Sequence, residues 1–418
     1  MLSETDATSP TYLRGKYAVV GVGETPYVRG ANRTTRSLAT SAVRNAMRDA
    51  GLEPGAIDGM LSYSLGDAAP SPLVAGDLGI RLNFYMDVWG GGSSTEALVG
   101  IAMGVIAAGM CRTVVIFRAM NGYSGLRMGG TGAVADAPIA GDELHERVYG
   151  WQSPAQWFAP SFARHMYEYG TTAEQAAMVK VVHSRHAASN PKAVYPQPVT
   201  VDEVLASRMI CTPLHLLDCC VETDNGTALI VTSAERARDC RHLPVYVLSV
   251  TGRVCKPRAD MHYQCGPITT VAGAYARDTL WRNAGLGPEQ VDITAAYDAF
   301  TYTALMQLED YGFCNKGEGG AYVSDGSIQL GGRRPNNTSG GHLCEGYTHG
   351  ISMVIENVRQ LRHDADDTCP VDGRGQRQHT YDYRAGCCRQ VRGAEVSANL
   401  GWATPLTGSA LVMSREPG

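Results

Sequence analysis

This 418-residue chain has no long run of either charge, no Cys-x-x-C pair and no apolar stretch of membrane-spanning length, and each absence removes a class of function. With 36 basic against 41 acidic residues and a formal charge of −5, it carries no nucleic-acid or membrane-surface footprint. A nucleotide-like ligand would need a local basic patch. The adjacent pairs Cys219/Cys220 and Cys387/Cys388 lack the spacing of a zinc site, so no structural metal is expected in this chain. The twelve cysteines are scattered behind a polar leader that is not a secretory signal, and they read as reduced thiols in a cytoplasmic protein. No membrane helix is expected, since a span needs about 20 apolar residues. The dinucleotide fingerprint is also incomplete: "GVGETP" at Gly21 to Pro26 has proline where the third glycine belongs.

What is present is a repeat. "AMRDAGLEPGAID" at Ala46 to Asp58 returns as "LWRNAGLGPEQVD" at Leu280 to Asp292. Each copy reads as a helix end, a Gly-Leu stop, a Pro-initiated turn and the entry to an apolar strand. The match keeps the Asp and the strand as well as the common helix terminus, which points to a duplicated α/β unit. The length suits two packed halves. The expected division is 16–250, carrying a capping insertion at about 121–220, and 251–418.

Along the first half, "YAVVGVG" reads as a strand. A helix follows from about Thr35 to Ala50, with Leu38, Ala39, Ala42, Val43 and Ala46 on one face. "MLSYSLG" and "FYMDVW" are strands, and the second meets the glycine turn "GGGSS". The small-residue helix after that turn is apolar nearly all round and is expected to be buried. "CRTVVIFRAM" reads as a buried strand. In the second half "VYVLSVTGRV" is a strand, Val271 to Ala284 a helix, and "VDITAAYDAF" a strand running into a turn and the helix "TYTALMQLEDYG". A second glycine cluster, "NNTSGGHLCEGYTHG", feeds another helix, and "AEVSANLGWATPLTGSALVMSR" closes the chain as two strands. Strands that end in glycine turns and start helices place backbone N–H groups where they can hold an oxyanion, a geometry suited to acyl chemistry.

Together, the duplicated units, "GGGSSTEAL", the "YDAF" turn, "NTSGGHLCEGYTHG" and "GWATPLTGSALVM" resemble the thiolase superfamily in its lipid-transfer-protein-like branch, from about Tyr17 to Arg415. The resemblance implies a duplicated βαβαβ thiolase-like α/β fold, layered α-β-α-β-α. The chain departs from the family pattern at every catalytic position. Gly91 stands where the nucleophilic cysteine should be. Tyr297, in Tyr297-Asp298-Ala299-Phe300, replaces the Asn that positions a catalytic water. Tyr347, after Gly346, replaces the catalytic histidine. Counting back six residues from Gly408 reaches Trp402, where the family has its acid–base cysteine.

Two tyrosines gained at facing catalytic positions imply a different reaction on an acyl-thioester scaffold, as in the steroid side-chain-cleaving aldolases that the sequence resembles. Phenols both accept and return protons. The implied reaction is retro-aldol cleavage of a β-hydroxyacyl-CoA, a 17-hydroxy steroid side-chain thioester, to a ketosteroid and propionyl-CoA. Tyr347 is assigned as base and Tyr297 as proton donor. Oxyanion-hole dipoles or a cation are expected to draw the phenol pKa down. Gly91, Gly408, His342, His349 and Cys344 are candidates for holding substrate and oxyanion, with Glu345 in the same loop as the last three, Tyr263 and Cys265 expected to face the same cavity, and Asp298 expected to tune Tyr297 beside it. His183 and His186 read as surface residues of an amphipathic helix.

The resemblance implies no metal, flavin or nicotinamide in this chain. It also implies a small OB-fold/zinc-ribbon partner that carries the zinc, around a homodimer, giving a heterotetramer. Two other readings stay open. One is a thiolase or acyltransferase with Cys344 or Cys265 as a relocated nucleophile, which would form an acyl-enzyme. The other is a non-catalytic acyl-CoA or sterol carrier.

Overall fold

A computed structural model describes residues 13–125, 148–151, 153–256, 267–365, 371, 373, 381, 387–404 and 407–418. Its strands are β1 (Tyr17–Glu24), β2 (Gly59–Ser64), β3 (Phe84–Trp89), β4 (Thr113–Asn121), β5 (Met209–Cys211), β6 (Leu214–His215), β7 (Asp224–Ser233), β8 (Val245–Val250), β9 (Val254–Cys255), β10 (Ile293–Ala296), β11 (Val396–Thr404) and β12 (Thr407–Ser414). The helices that position the site are α1 (Thr35–Ala50), α2 (Thr95–Ala107), α3 (Pro154–Tyr169), α4 (Ala173–Ala188), α5 (Thr301–Asp310) and α6 (Ile351–Arg362).

The strands run in the order β10-β11-β12-β8-β1-β7-β4-β2-β3, with β9 beside β12. The two halves of this sheet meet at β1 and β8 through two residue pairs, Ala18 with Tyr246 and Val19 with Val245. Side-chain alternation along the strands builds the layers. Ala18, Val20, Val115, Phe117, Ala228 and Ile230 face α1. Their neighbours Val19, Val114, Ile116, Leu229 and Val231 face inward, where Leu98 and Val99 of α2 and Val354, Ile355 and Val358 of α6 also meet Leu411 and Met413. On the far side, Ala398, Leu400, Ala410 and Val412 pack under α5 and the helices of the insertion. Three apolar layers between helices and strands are the stacking of a thiolase-like α-β-α-β-α fold.

The duplication is visible in the backbone. Gly51 (φ 71°) and Gly285 (φ 73°) end their helices in the left-handed conformation that glycine adopts without cost. Pro54 and Pro288 then open matching single 3₁₀ turns. Asp58 accepts the backbone N–H groups of Arg112 and Thr113 at 2.7 and 3.0 Å, at the entry to β4. Asp292 accepts those of Glu395 and Val396 at 2.8 and 2.9 Å, at the entry to β11.

Three expectations are corrected. The helix α2 is buried only from Thr95 to about Met103, and its last turn reaches the surface, because apolarity all round does not fix the depth of the whole helix. Among the described residues nine cysteines are free thiols, but Cys388 is disulfide-bonded; scatter along a sequence does not report which thiols a fold brings together. His183 and His186 are fully buried. Residues three apart share a helix face, and from Ala176 onward every residue of α4 except Met178 and Arg185 is buried.

Candidate active site

The phenols of Tyr297 and Tyr347 meet at 2.7 Å, both buried. Tyr297 lies just past the C-terminal end of β10, where strands of open α/β sheets commonly deliver functional groups. Its N–H donates to the Leu400 carbonyl at 3.0 Å, and its carbonyl accepts from Thr303 Oγ1 and Gln307 Nε2, each at 2.9 Å. Tyr347 sits in the loop between the glycine cluster and α6. Thr223 Oγ1 accepts its N–H at 3.0 Å, and Asn225 Nδ2 donates to its carbonyl at 2.8 Å. Both backbones are therefore held by buried polar side chains that satisfy main-chain groups.

Burial pushes both phenol pKa values well above the ordinary tyrosine range. This corrects the expectation of lowered values, since removal of water outweighs any dipole or cation nearby. Within the pair, the mutual hydrogen bond and the Arg118 charge favour ionisation of Tyr347, whereas the Tyr347 contact opposes it in Tyr297.

His342 stands between the phenols, edge-on to Tyr297 at 4.7 Å and to Tyr347 at 5.1 Å between ring centroids. Neither of its ring nitrogens has a hydrogen-bond partner among the described residues, although the ring is fully buried. Burial lowers its pKa to about 4, so the ring is neutral near pH 7. Asp298, also fully buried, accepts the backbone N–H groups of His342 at 2.9 Å and Leu343 at 3.3 Å. Its carboxylate faces His183 Nδ1 at 2.9 Å, while His183 Nε2 faces Asn336 Oδ1 at 2.9 Å. Burial pushes the Asp298 pKa up, but His183 and the neighbouring His342 hold it below the usual carboxylate range. This carboxylate thus ties the insertion helix α4 to the second glycine loop.

Gly91 precedes the turn that starts α2. At the next residue, Gly92, a Cβ would lie 2.0 Å from the Tyr297 ring, so only glycine lets the helix start approach this phenol so closely. Gly408 is paired with Trp402 and Val254 inside β12 and lies against the Gly273 backbone; no described contact brings it to either phenol. Trp402 packs edge-on against Phe158 at 4.7 Å. Cys344 is buried beside Lys180, and burial raises its thiol pKa, as it does more strongly for Cys220 near the phenols. Glu345 accepts from Asn190 Nδ2 and Ser339 Oγ at 2.9 and 2.7 Å. Tyr263 and Cys265 lie outside the described residues. Among the described residues no group of three or more His, Cys, Asp or Glu side chains is placed to hold a metal.

Several site residues escape a reading of the sequence. Thr223, Asn225 and Gln307 pin the two tyrosines, and their only advance signal is polar character inside segments that otherwise read as buried. Arg118 and Asp67 join the site through His349. A lone arginine in the apolar run of β4 is the signal that marks Arg118.

A cavity of about 760 Å³ lies elsewhere, lined by residues that include Glu24, Arg48, Lys192 and Arg359 and by neither tyrosine. The unsatisfied imidazole of His342 does not border that space either.

Residues 258–374 match the family described as "Thiolase C-terminal domain-like". The chain is 38% identical over 363 residues to a steroid side-chain-cleaving aldolase of Thermomonospora curvata, covering 84% of this chain and 91% of that protein. It is 39% identical over 359 residues to the 17-hydroxy-3-oxo-4-pregnene-20-carboxyl-CoA lyase of Mycobacterium tuberculosis, covering 84% and 92%. A solved structure of an Ltp2-ChsH2(DUF35) aldolase superposes with a TM-score of 0.83 at 33% identity, over 96% of this chain and 98% of that one. The chain belongs to the thiolase-like family. Within that superfamily it is an enzyme of the aldolase, or carbon–carbon lyase, kind.

Proposed function

We propose that this chain cleaves a 17-hydroxy steroid side-chain CoA thioester by retro-aldol chemistry, giving a 17-ketosteroid and propionyl-CoA, with Tyr347 and Tyr297 as its proton relay. The observation that carries this reading is the 2.7 Å contact between two buried phenols. Two neutral phenols need no preformed phenolate if protons move along them together. The substrate β-hydroxyl gives its proton to the Tyr347 oxygen while Tyr347 gives its own to Tyr297. The C–O bond becomes a carbonyl and the electrons of the Cα–Cβ bond pass to the thioester as an enolate. As Tyr297 receives that proton it releases its own to Cα, so neither phenol ever carries two protons, the hydroxyl proton is in effect moved to carbon and nothing is oxidised or reduced.

The enolate oxygen needs donors only while it lasts. Neutral His342 and His349, with ring centroids 4.7 to 5.1 Å from those of the phenols, and the first N–H groups of the helical run after Gly91 are assigned as these donors. Burial raises the Cys344 and Cys220 thiols, which argues against either of them as a relocated nucleophile. The reaction draws on no metal, flavin or nicotinamide from this chain. In the cytoplasm, the working assembly is a homodimer flanked by OB-fold/zinc-ribbon partners that carry the zinc. The exposed edge strand β3, with Tyr85 and Trp89 55% and 69% exposed, supports pairing with another copy. The DUF35 component named in the similar solved structure supports the partner.

The test is incubation of the chain, alone and with that partner, with a β-hydroxyacyl-CoA bearing a tertiary C17 alcohol, followed by mass spectrometry. Ketone and propionyl-CoA in equal amounts are expected, with Tyr297→Phe or Tyr347→Phe lowering kcat by about 10²–10⁴-fold. A covalent acyl group on cysteine would return the chain to acyl transfer, and ligand binding without product would make it a carrier.

A further inference from the structure

Arg118 is a guanidinium with no solvent exposure, set in the middle of β4. An unpaired charge there would cost several kcal/mol, so its partners define what it does. Nη2 donates to Asp67 at 2.6 Å, Nη1 to the Ala119 carbonyl, and Nε to Nδ1 of His349 at 3.2 Å. A guanidinium has donors only. Nδ1 of His349 must therefore be the lone-pair nitrogen, which leaves the ring hydrogen on Nε2. Burial first, and then the Arg118 charge, hold the His349 pKa well below the ordinary histidine range, so the ring stays neutral.

The backbone at His349 is built with equal care. Its φ of 56° is left-handed, which costs a non-glycine residue about 1 kcal/mol or more and persists only where surrounding contacts enforce it. Its carbonyl accepts from Tyr63 Oη at 2.8 Å and Thr95 Oγ1 at 3.0 Å. Its ring stands edge-on to Tyr347 at 5.0 Å.

We propose that Arg118, anchored by Asp67, is a positioning residue that fixes His349 as an Nε2–H donor to the thioester oxygen of the acyl-CoA substrate. This rests on the retro-aldol reading and divides the labour within it. His349 carries no proton between atoms; it donates a fixed hydrogen bond to the oxygen where enolate charge develops, while the tyrosines move the proton.

The test compares His349→Asn with His349→Gln. Asparagine tolerates the left-handed backbone but is too short to donate at the Nε2 position, whereas glutamine places an N–H near it. His349→Asn is expected to lower kcat by about 10²-fold with KM changed less than about threefold, and His349→Gln to recover about tenfold of that loss. In parallel, ¹⁵N NMR of histidine-labelled enzyme, assigned by the signal lost in His349→Gln, is expected to report the Nε2–H tautomer. In Arg118→Met it should report a mixture. A folded His349→Asn enzyme with unchanged kcat overturns the donor role. An Nδ1–H ring or an imidazolium at His349 overturns the Arg118 role, and the unsubstituted enzyme alone suffices to see it if Arg118→Met does not fold. Absence of cleavage by the unsubstituted enzyme sinks the retro-aldol reading separately, and the NMR arm then still decides the tautomer lock.

Discussion

Asp58 and Asp292 do the same job in the two halves of the chain: each follows a left-handed glycine and a proline turn, and each closes on two backbone N–H groups that open a parallel strand. A few residues further on, the halves differ completely. The glycine turn after β3 supplies a helix start and no reacting side chain, with Gly92 pressed against the Tyr297 ring. The turns after β10 and around Gly340 supply Tyr297, Asp298, His342, Tyr347 and His349. Residues that hold the sheet together answer to packing on all sides, and their geometry repeats. Loops at the strand ends answer to fewer neighbours, and there one half carries the proposed reacting set while the other backs it.

The largest structural effect is expected where the two halves and the insertion are tied together. Asp298→Asn removes the carboxylate that faces His183 and receives two loop N–H groups, all fully buried. It should cost about 3–5 kcal/mol of stability, read as a lowered denaturation midpoint, because a buried partner is left uncompensated. A loss under about 1 kcal/mol would mean that the second glycine loop is held by something other than this carboxylate.

Next is Glu96, whose fully buried carboxyl lies at the start of α2 and accepts from Ser409 Oγ at 2.8 Å. Burial raises its pKa from 4.5 to about 7. Because the folded state holds this proton more tightly than the unfolded state, its contribution to stability is full below about pH 4.5 and is lost as pH rises to about 7. Denaturant titrations should show wild type losing roughly 3 kcal/mol relative to Glu96→Gln across that window. Parallel pH profiles for the two proteins would show that Glu96 is not buried as described.

The smallest effect tests the likeness of the halves directly. Asp58→Asn and Asp292→Asn should each cost about 1–2 kcal/mol and differ little from one another, since each removes charge-assisted bonds to two backbone N–H groups. A difference above about 2 kcal/mol would show that the matching geometry does not carry matching load.

Much of this arrangement is legible in the sequence. The helix Thr35–Ala50 follows from its apolar spacing and ends where the glycine stop places it. The repeated Asp announces the duplication, and Tyr297 and Tyr347 stand out because they occupy positions that a resemblance assigns to other catalytic groups. What stays hidden is contact between distant segments. Arg118 sits in a strand whose neighbours are apolar, and only the fold brings His349, 231 residues away, to its Nε. His183 looks like a surface histidine until α4 is enclosed. The phenol pKa direction was equally out of reach, because it depends on how much water the fold removes.

The most direct measurement is the double-substitution cycle on the two phenols, with kcat for cleavage followed in wild type, Tyr297→Phe, Tyr347→Phe and the double variant. A single relay predicts that the double variant is no slower than the slower single one, because breaking either phenol already breaks the chain of protons. Losses that multiply in the double variant, or wild-type cleavage in either single one, would contradict it.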